Sequence, residues 1–400
     1  MIDISIDSFL FILILLSAPL IMCRTNHFRT WSFFLINALI YCLTFSHTTS
    51  FIFCIIFILF PYIYIMLWRH KNITLVPCIS IQVLFFIYLK GYSWIIGPIV
   101  GYQHINTFQT LGISYILFRQ IDFILQYQAG KIEKIHFILY LNYLLSFWTL
   151  LSGPIQRYRD FIQNFDSTQV SEFNWEKHLK LFHRIANGLI KIVIISYFLK
   201  NQSDKAFAAL SSGEDSLLLF LYWLYGYPLY VYLNFSGYCD VVIASAEYAG
   251  FKIPENFDRP YLSRNMIEFW NRWHITLSQW VRDFIYQPLF KKLLTSILKN
   301  NPLLSQYISL FITFFIVGIW HGTTINFVIF GLLHGLGMVM SLIYKNVTKK
   351  ILGKKNFKTY SNHKGIQIIE IVICLHFVCF TFLFFEYDII SVFNILGDIW

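Results

Sequence analysis

The segment Phe269-Trp270-Asn271-Arg272-Trp273-His274-Ile275-Thr276-Leu277-Ser278-Gln279-Trp280-Val281-Arg282-Asp283 sets three tryptophans, two arginines, an aspartate and a histidine inside a largely apolar chain. Polar groups gather this way in a lipid-soluble protein where something other than lipid fills the space. A second histidine follows about forty residues later, in Gly318-Ile319-Trp320-His321-Gly322. Imidazole titrates near neutrality, so a buried copy can take a proton from a hydroxyl without a standing charge. Two histidines framed by tryptophan suggest one buried reaction site. The plainer alternatives are an interfacial helix with its tryptophans at headgroup level and, for His321, a helix-packing histidine.

Other chemistries lack their residues. There is no phosphate-binding glycine loop, no G-x-S-x-G and no H-E-x-x-H, so nucleotide hydrolysis, serine hydrolysis and zinc proteolysis find no support. The seven cysteines show no C-x-x-C spacing and read as packing residues, and no metal site is expected. His334 reads as structural. Asn234-Phe235-Ser236-Gly237-Tyr238-Cys239-Asp240 could break a span for a ligand, or kink it for packing.

The elements that must hold these residues are membrane helices. With 57% hydrophobic and 13% charged residues, this is no ordinary soluble domain. The net charge of +10 comes from basic span ends and not from a nucleic-acid surface. Runs long enough to cross a bilayer fall near 8-23, 31-46, 51-68, 73-89, 108-127, 135-152, 182-199, 216-235, 303-320, 324-344 and 366-386. The first follows Asp3 and Asp7 with no basic residue before it, so it reads as a retained span.

Arg24, His27 and Arg29, and then Arg69, His70 and Lys71, place their loops in the cytoplasm and the N-terminus outside. Seven lysines and no carboxylate between Lys345 and Lys364 mark another cytoplasmic loop, as do Lys291, Lys292 and Lys299. The chain between them should rise, turn near His321 to Thr324, and return. Residues 153-182 and 236-290 suit neither spans nor outside loops, so they read as re-entrant or interfacial pieces, buried in protein or lining a water-filled cavity. As a helix, 269-285 would carry Trp270, Trp273, His274, Leu277, Trp280, Val281 and Phe284 on one stripe, with Arg272, Thr276, Gln279 and Asp283 opposite. One domain over 1-400 is the economical organisation.

Gly153-Pro154-Ile155-Gln156-Arg157-Tyr158-Arg159, Asn234-Phe235-Ser236-Gly237-Tyr238, Pro254-Glu255-Asn256-Phe257, the Trp270 to Asp283 stretch and Trp320-His321-Gly322 occur in this order. Together they resemble the bacterial branch of the membrane-bound O-acyltransferase family, over a core of about 150-344. Both its alginate O-acetylation and its teichoic-acid D-alanylation types are similar. Asn271 and the compact length lean toward D-alanylation, and Tyr286-Gln287-Pro288-Leu289 leans toward acetylation.

The resemblance implies an all-α membrane body of roughly 10-12 helices, with re-entrant segments around a central tunnel. It implies His321 and His274 as catalytic, with Asn271, Arg272, Trp273, Trp320, Arg282 and Asp283 around the substrates. Its donor would be a cytoplasmic thioester, on coenzyme A or on the phosphopantetheine of an acyl carrier protein, drawn in by Lys291 and Lys292. No permanently bound cofactor is implied. The acceptor would be a hydroxyl of an extracytoplasmic glycan or envelope polymer, reached directly or through a second acyltransferase outside the cytoplasmic membrane. A lipid or protein acceptor is the alternative within the family. From another class, a transporter or flippase would use His274, Arg272 and Asp283 to line a path, although repeated halves are not evident.

Overall fold

A computed structural model describes residues 12–17, 28–43, 47–68, 74–92, 95, 98, 112–166 and 174–399. The expected span 8-23 lies mostly outside these residues, as do Arg24, His27 and the basic segment 69-71. The chain is an all-α, multi-pass membrane protein, and the described residues contain no strand. In chain order the helices are α1 (Arg29–Leu43), α2 (Thr48–Trp68), α3 (Val76–Lys90), α4 (Ile113–Gln128), α5 (Phe137–Leu145), α6 (Tyr158–Asp166), α7 (Trp175–Leu189) and α8 (Tyr197–Ser211). There follow α9 (Leu217–Tyr248), α10 (Met266–Arg272), α11 (Ile275–Val281), α12 (Gln287–Lys292), α13 (Pro302–His321), α14 (Ile325–Asn362), α15 (Lys364–Glu386) and α16 (Ile389–Ile399). Five stretches among the described residues are helical, long and apolar enough to cross a bilayer: α2, Trp175–Ser211, α13, α14 and α15.

The chain divides into two compact units: residues 1–190 with 237–254, and 191–236 with 255–400. In the first, Phe33, Phe147, Trp148, Phe161 and Phe251 form a buried aromatic cluster. The expected run 135-152 is helical only as α5. The chain leaves the helix there because buried Arg119 gathers the carbonyls of Tyr143, Leu144 and Thr149 at 3.1, 2.7 and 2.7 Å, which satisfies backbone that lipid could not. Residues 153–156 are buried in protein. The next two are tied to Asp122, through Arg157 at 3.2 Å and the Tyr158 N–H at 2.8 Å.

Two expectations about breaks need correction. Helix α9 runs unbroken through Asn234 to Asp240. Its Gly237 instead serves close packing, since a Cβ added to Gly188 of α7 would lie 2.7 Å from the Gly237 carbonyl, and Arg184 holds Asp240 at 3.0 Å. The lysine-rich stretch 345–364 is mostly helical and not a loop: within α14 two helices meet at Gly353, whose backbone is non-helical (φ 74°, ψ 163°), and the second runs to Asn362. Lysine is a good helix former, and glycine alone takes that backbone shape cheaply.

In the second unit α13 and α14 form a hairpin that turns over Gly322 to Thr324. Asn301 starts α13 by accepting the Leu304 N–H at 3.1 Å, with Pro302 at the first helical position. Gly318 lies directly on Gly331, so that a Cβ on either would strike the other's backbone. α15 packs beside α14, and Asn326 reaches the Tyr387 carbonyl at 2.7 Å.

Candidate active site

The segment that opened the sequence reading is not one helix. Asn265 caps α10 by accepting the Glu268 N–H at 3.0 Å, and Glu268 accepts the Arg264 N–H at 3.0 Å while pairing with Arg272 at 2.6 Å. After Arg272 the backbone is captured by the 256–258 strip. The Asp258 N–H donates to the Arg272 carbonyl and the Ile275 N–H to the Asn256 carbonyl, each at 2.9 Å. His274 sits between these bonds with φ 45° and ψ 53°, in the left-handed region. That conformation costs a non-glycine residue about 1–2 kcal/mol, and its surroundings impose it.

The same strip fixes the imidazole. Asn256, fully buried, presents Oδ1 to the Thr276 N–H at 3.2 Å and the Thr276 hydroxyl at 2.8 Å, and lies 3.2 Å from His274 Nδ1. A backbone N–H can only donate, so the atom it meets is the amide oxygen, and His274 Nδ1 must carry the proton. Burial pushes His274 down to about 3, so it is neutral, with its lone pair at Nε2. Phe235 meets the ring edge to face at 5.0 Å. A neutral Nε2 accepts a hydrogen bond; it does not donate one to an oxyanion.

His321 ends α13 half-buried, with Trp320, Phe385 and Phe330 at 4.7, 5.1 and 5.8 Å. Gly322 beside it leaves room for the Phe327 ring, which a Cβ there would displace. An aromatic wall continues inward, from Phe330 to Phe382 at 5.7 Å and from Phe382 to Trp273 at 5.3 Å. His334 belongs to this wall and is committed on both sides. Trp270 Nε1–H donates to its Nδ1 at 3.2 Å, and its Nε2 meets Thr381 Oγ1 at 2.8 Å, whose own proton goes to the Val378 carbonyl. Such a histidine is a structural pin, not a base.

A cavity of about 400 Å³ opens within this second unit. Trp270, Phe314, Met338 and Leu342 give it an apolar side, and Asn271, Gln279, Arg282, Gln306 and Lys345 supply donors. Of the residues expected around the substrates, Asn271 and Arg282 thus share one space, and Asp283 lies next to it, paired to Arg282 at 3.0 Å. The others are placed differently. Trp273 is buried and stacked on Phe269 at 5.5 Å, and Arg272 is held by Glu268. Lys291 and Lys292 are exposed on α12, beyond the cavity's walls. Neither His274 nor His321 is one of its lining residues. Sequence reasoning missed Asn256 as the anchor of His274 and Glu268 as the partner of Arg272. The first lay in a quoted motif, but its pairing depends on a fold-back that spacing does not reveal; the second was visible as an i,i+4 pair.

The family of membrane-bound O-acyltransferases matches residues 38–384. A teichoic acid D-alanyltransferase of Bacillus subtilis is 30% identical over 395 residues, covering 95% of this chain and 97% of its own. One from Streptococcus thermophilus is 29% identical over 72% of this chain and 69% of its own. A protein described as a probable alginate O-acetylase of Pseudomonas fluorescens is 30% identical over 58% of this chain and 44% of its own.

Proposed function

Because the chain belongs to the membrane-bound O-acyltransferase family and is an O-acyltransferase, we propose that it moves a D-alanyl group from a cytoplasmic thioester to a hydroxyl of an extracytoplasmic envelope polymer. The observation that carries the D-alanyl choice is coverage. Similarity to the D-alanyltransferase runs end to end through both chains, whereas similarity to the acetylase spans less than half of that protein. Acetyl transfer to a polysaccharide is the second reading, favoured by Tyr286-Gln287-Pro288-Leu289.

In this reading the protein resides in the cytoplasmic membrane, with the lysine-rich end of α14 and the start of α13 on the donor side. A carrier-bound phosphopantetheine suits the cavity, whose apolar side fits the arm's methyl groups and whose Asn271, Gln279 and Arg282 fit its amides and phosphate. Lys345 stands at the same cavity, and Lys291 and Lys292 add long-range attraction. The acceptor oxygen attacks the thioester carbonyl, so that a C–O bond forms and the C–S bond breaks. His321 takes the hydroxyl proton and returns it to the departing thiolate, a role worth about 10² to 10⁴-fold. His274 is assigned positioning: its neutral Nε2 accepts a hydrogen bond from a donor amide or acceptor hydroxyl.

The test is purified protein given D-alanyl and acetyl thioesters of one carrier, with glycerol phosphate polymer as acceptor. D-alanyl ester should form faster; preferential acetyl transfer would transfer the assignment to the second reading. His321→Ala should remove turnover in both cases while leaving the thermal midpoint near that of the parent. Turnover close to normal would take His321 out of the chemistry.

A further inference from the structure

A second, smaller cavity lies wholly in the first unit, where the turn between α4 and α5 meets the outer face of α6. It measures about 260 Å³ and is lined by Lys131, Lys134, His136 and Arg159, with Glu133 as its one carboxylate. The O-acyltransferase reading uses none of these residues. All four basic side chains are exposed, and none makes an ion pair or a side-chain hydrogen bond among the described residues. The nearby basic residue that does, Arg157, is committed to Asp122. Four cationic or protonatable groups converge on one concavity with a single opposing charge, a standing site for an anion.

The surroundings say which anion. Tyr62, in the last third of α2, meets Phe137 at the start of α5 with ring centroids 4.8 Å apart, which sets this cavity beside the half of α2 that leads to its Trp68 end. Leu67 and Trp68 are exposed at that end, and in sequence Arg69-His70-Lys71 follows directly. Phe137 itself is 39% exposed, and Ile132, Leu139 and Ile162 line the cavity beside the charges. Basic groups above apolar surface at a helix end match a phosphate headgroup with its acyl chains below it, and a soluble phosphate would have no use for the apolar part. We propose that this cavity binds the headgroup of an anionic phospholipid of the cytoplasmic leaflet. The lipid fastens the α4–α5 turn to α6.

The experiment uses the full chain in mild detergent and reads its thermal midpoint with added phosphatidylglycerol, phosphatidylcholine or glycerol 3-phosphate. Phosphatidylglycerol should raise the midpoint in a saturable way, and the other two should not. The triple variant Lys131→Glu, Lys134→Glu, Arg159→Glu should bind phosphatidylglycerol at least roughly a hundredfold more weakly, since each lost positive charge costs about fivefold and each added carboxylate repels the headgroup further. The same change of net charge on α14, Lys349→Glu, Lys350→Glu, Lys355→Glu, should leave the response in place. Should the first triple variant not fold, Arg159→Gln alone should still weaken binding severalfold. An equal response to glycerol 3-phosphate, an undiminished response in the cavity variants, or equal loss in both triple variants would overturn the proposal.

Discussion

Replacing Asn256 by alanine should separate the scaffold's contribution from that of the imidazole it holds. The substitution deletes one oxygen that serves three groups: the His274 Nδ1–H, the Thr276 N–H and the Thr276 hydroxyl. The hydroxyl can rotate to another acceptor, but the backbone N–H and the imidazole N–H are fixed by the turn, and a buried donor left without a partner costs about 1–3 kcal/mol. Two such donors give roughly 2–4 kcal/mol once some relaxation is allowed. His274 also loses what fixes its tautomer, so its ring can carry the proton on either nitrogen. Thermal unfolding in nanodiscs should show the loss of stability, and steady-state kinetics should show a raised KM for the thioester. Asn256→Asp keeps the oxygen but adds a buried charge, so it should restore donor use only where the carboxylate is matched by a protonated His274. An Asn256→Ala protein with the parent's midpoint and parent's KM would refute the reasoning, because the strip would then not be what holds His274.

His274→Asn tolerates the left-handed backbone and should fold, yet use the donor poorly; normal use of donor and acceptor alike would leave His274 with no functional role. The pH dependence of stability follows from the same residue. Its folded value near 3 lies below the roughly 6.5 of an unfolded histidine, so the unfolded chain binds the extra proton and stability falls as pH drops from about 6.5 toward 3. His274→Asn should therefore lose less stability than the parent between pH 6.5 and 4.5, and identical slopes would contradict the buried neutral imidazole. Gly318→Val should force α13 away from α14 at about 1–3 kcal/mol, read as a lowered midpoint, whereas an unchanged midpoint would deny that contact its role. Charge reversal at Arg282 should raise the thioester KM more than reversal at Lys291, since only Arg282 lines the cavity, and high salt should erase chiefly the Lys291 effect.

Hydropathy made the long spans legible because a bilayer imposes length and apolarity on a local window, which is why α2, α13 and α15 fall close to their expected runs. The hairpin turning at Gly322 was readable from the basic residues on either side. What could not be read was backbone set by distant partners. Arg119 ends α5 early by capturing carbonyls some 25 residues away, and the 256–258 strip splits the Trp270 to Asp283 segment at His274. Periodicity favoured one helix there because the residues on both sides are helical, and two residues, extended Trp273 and left-handed His274, break the stripe. The lysine-rich segment misled for the opposite reason. Its charge marks a membrane face, but charge does not prevent a helix, and the segment is helical on both sides of a break at Gly353. Trp273 and Arg272, which the resemblance set around the substrates, respectively pack against Phe269 and Phe382 and pair with Glu268, contacts that the motif itself does not reveal.

The central claim is transfer from a thioester to a hydroxyl across the membrane, with His321 as the base. It is tested most directly in proteoliposomes loaded with a labelled D-alanyl carrier thioester and given a polyol phosphate polymer outside. Free carrier thiol inside should appear in proportion to ester outside, and both should vanish in His321→Ala. Ester formed from free D-alanine and ATP with no thioester present, or equal ester formation by His321→Ala, would contradict it.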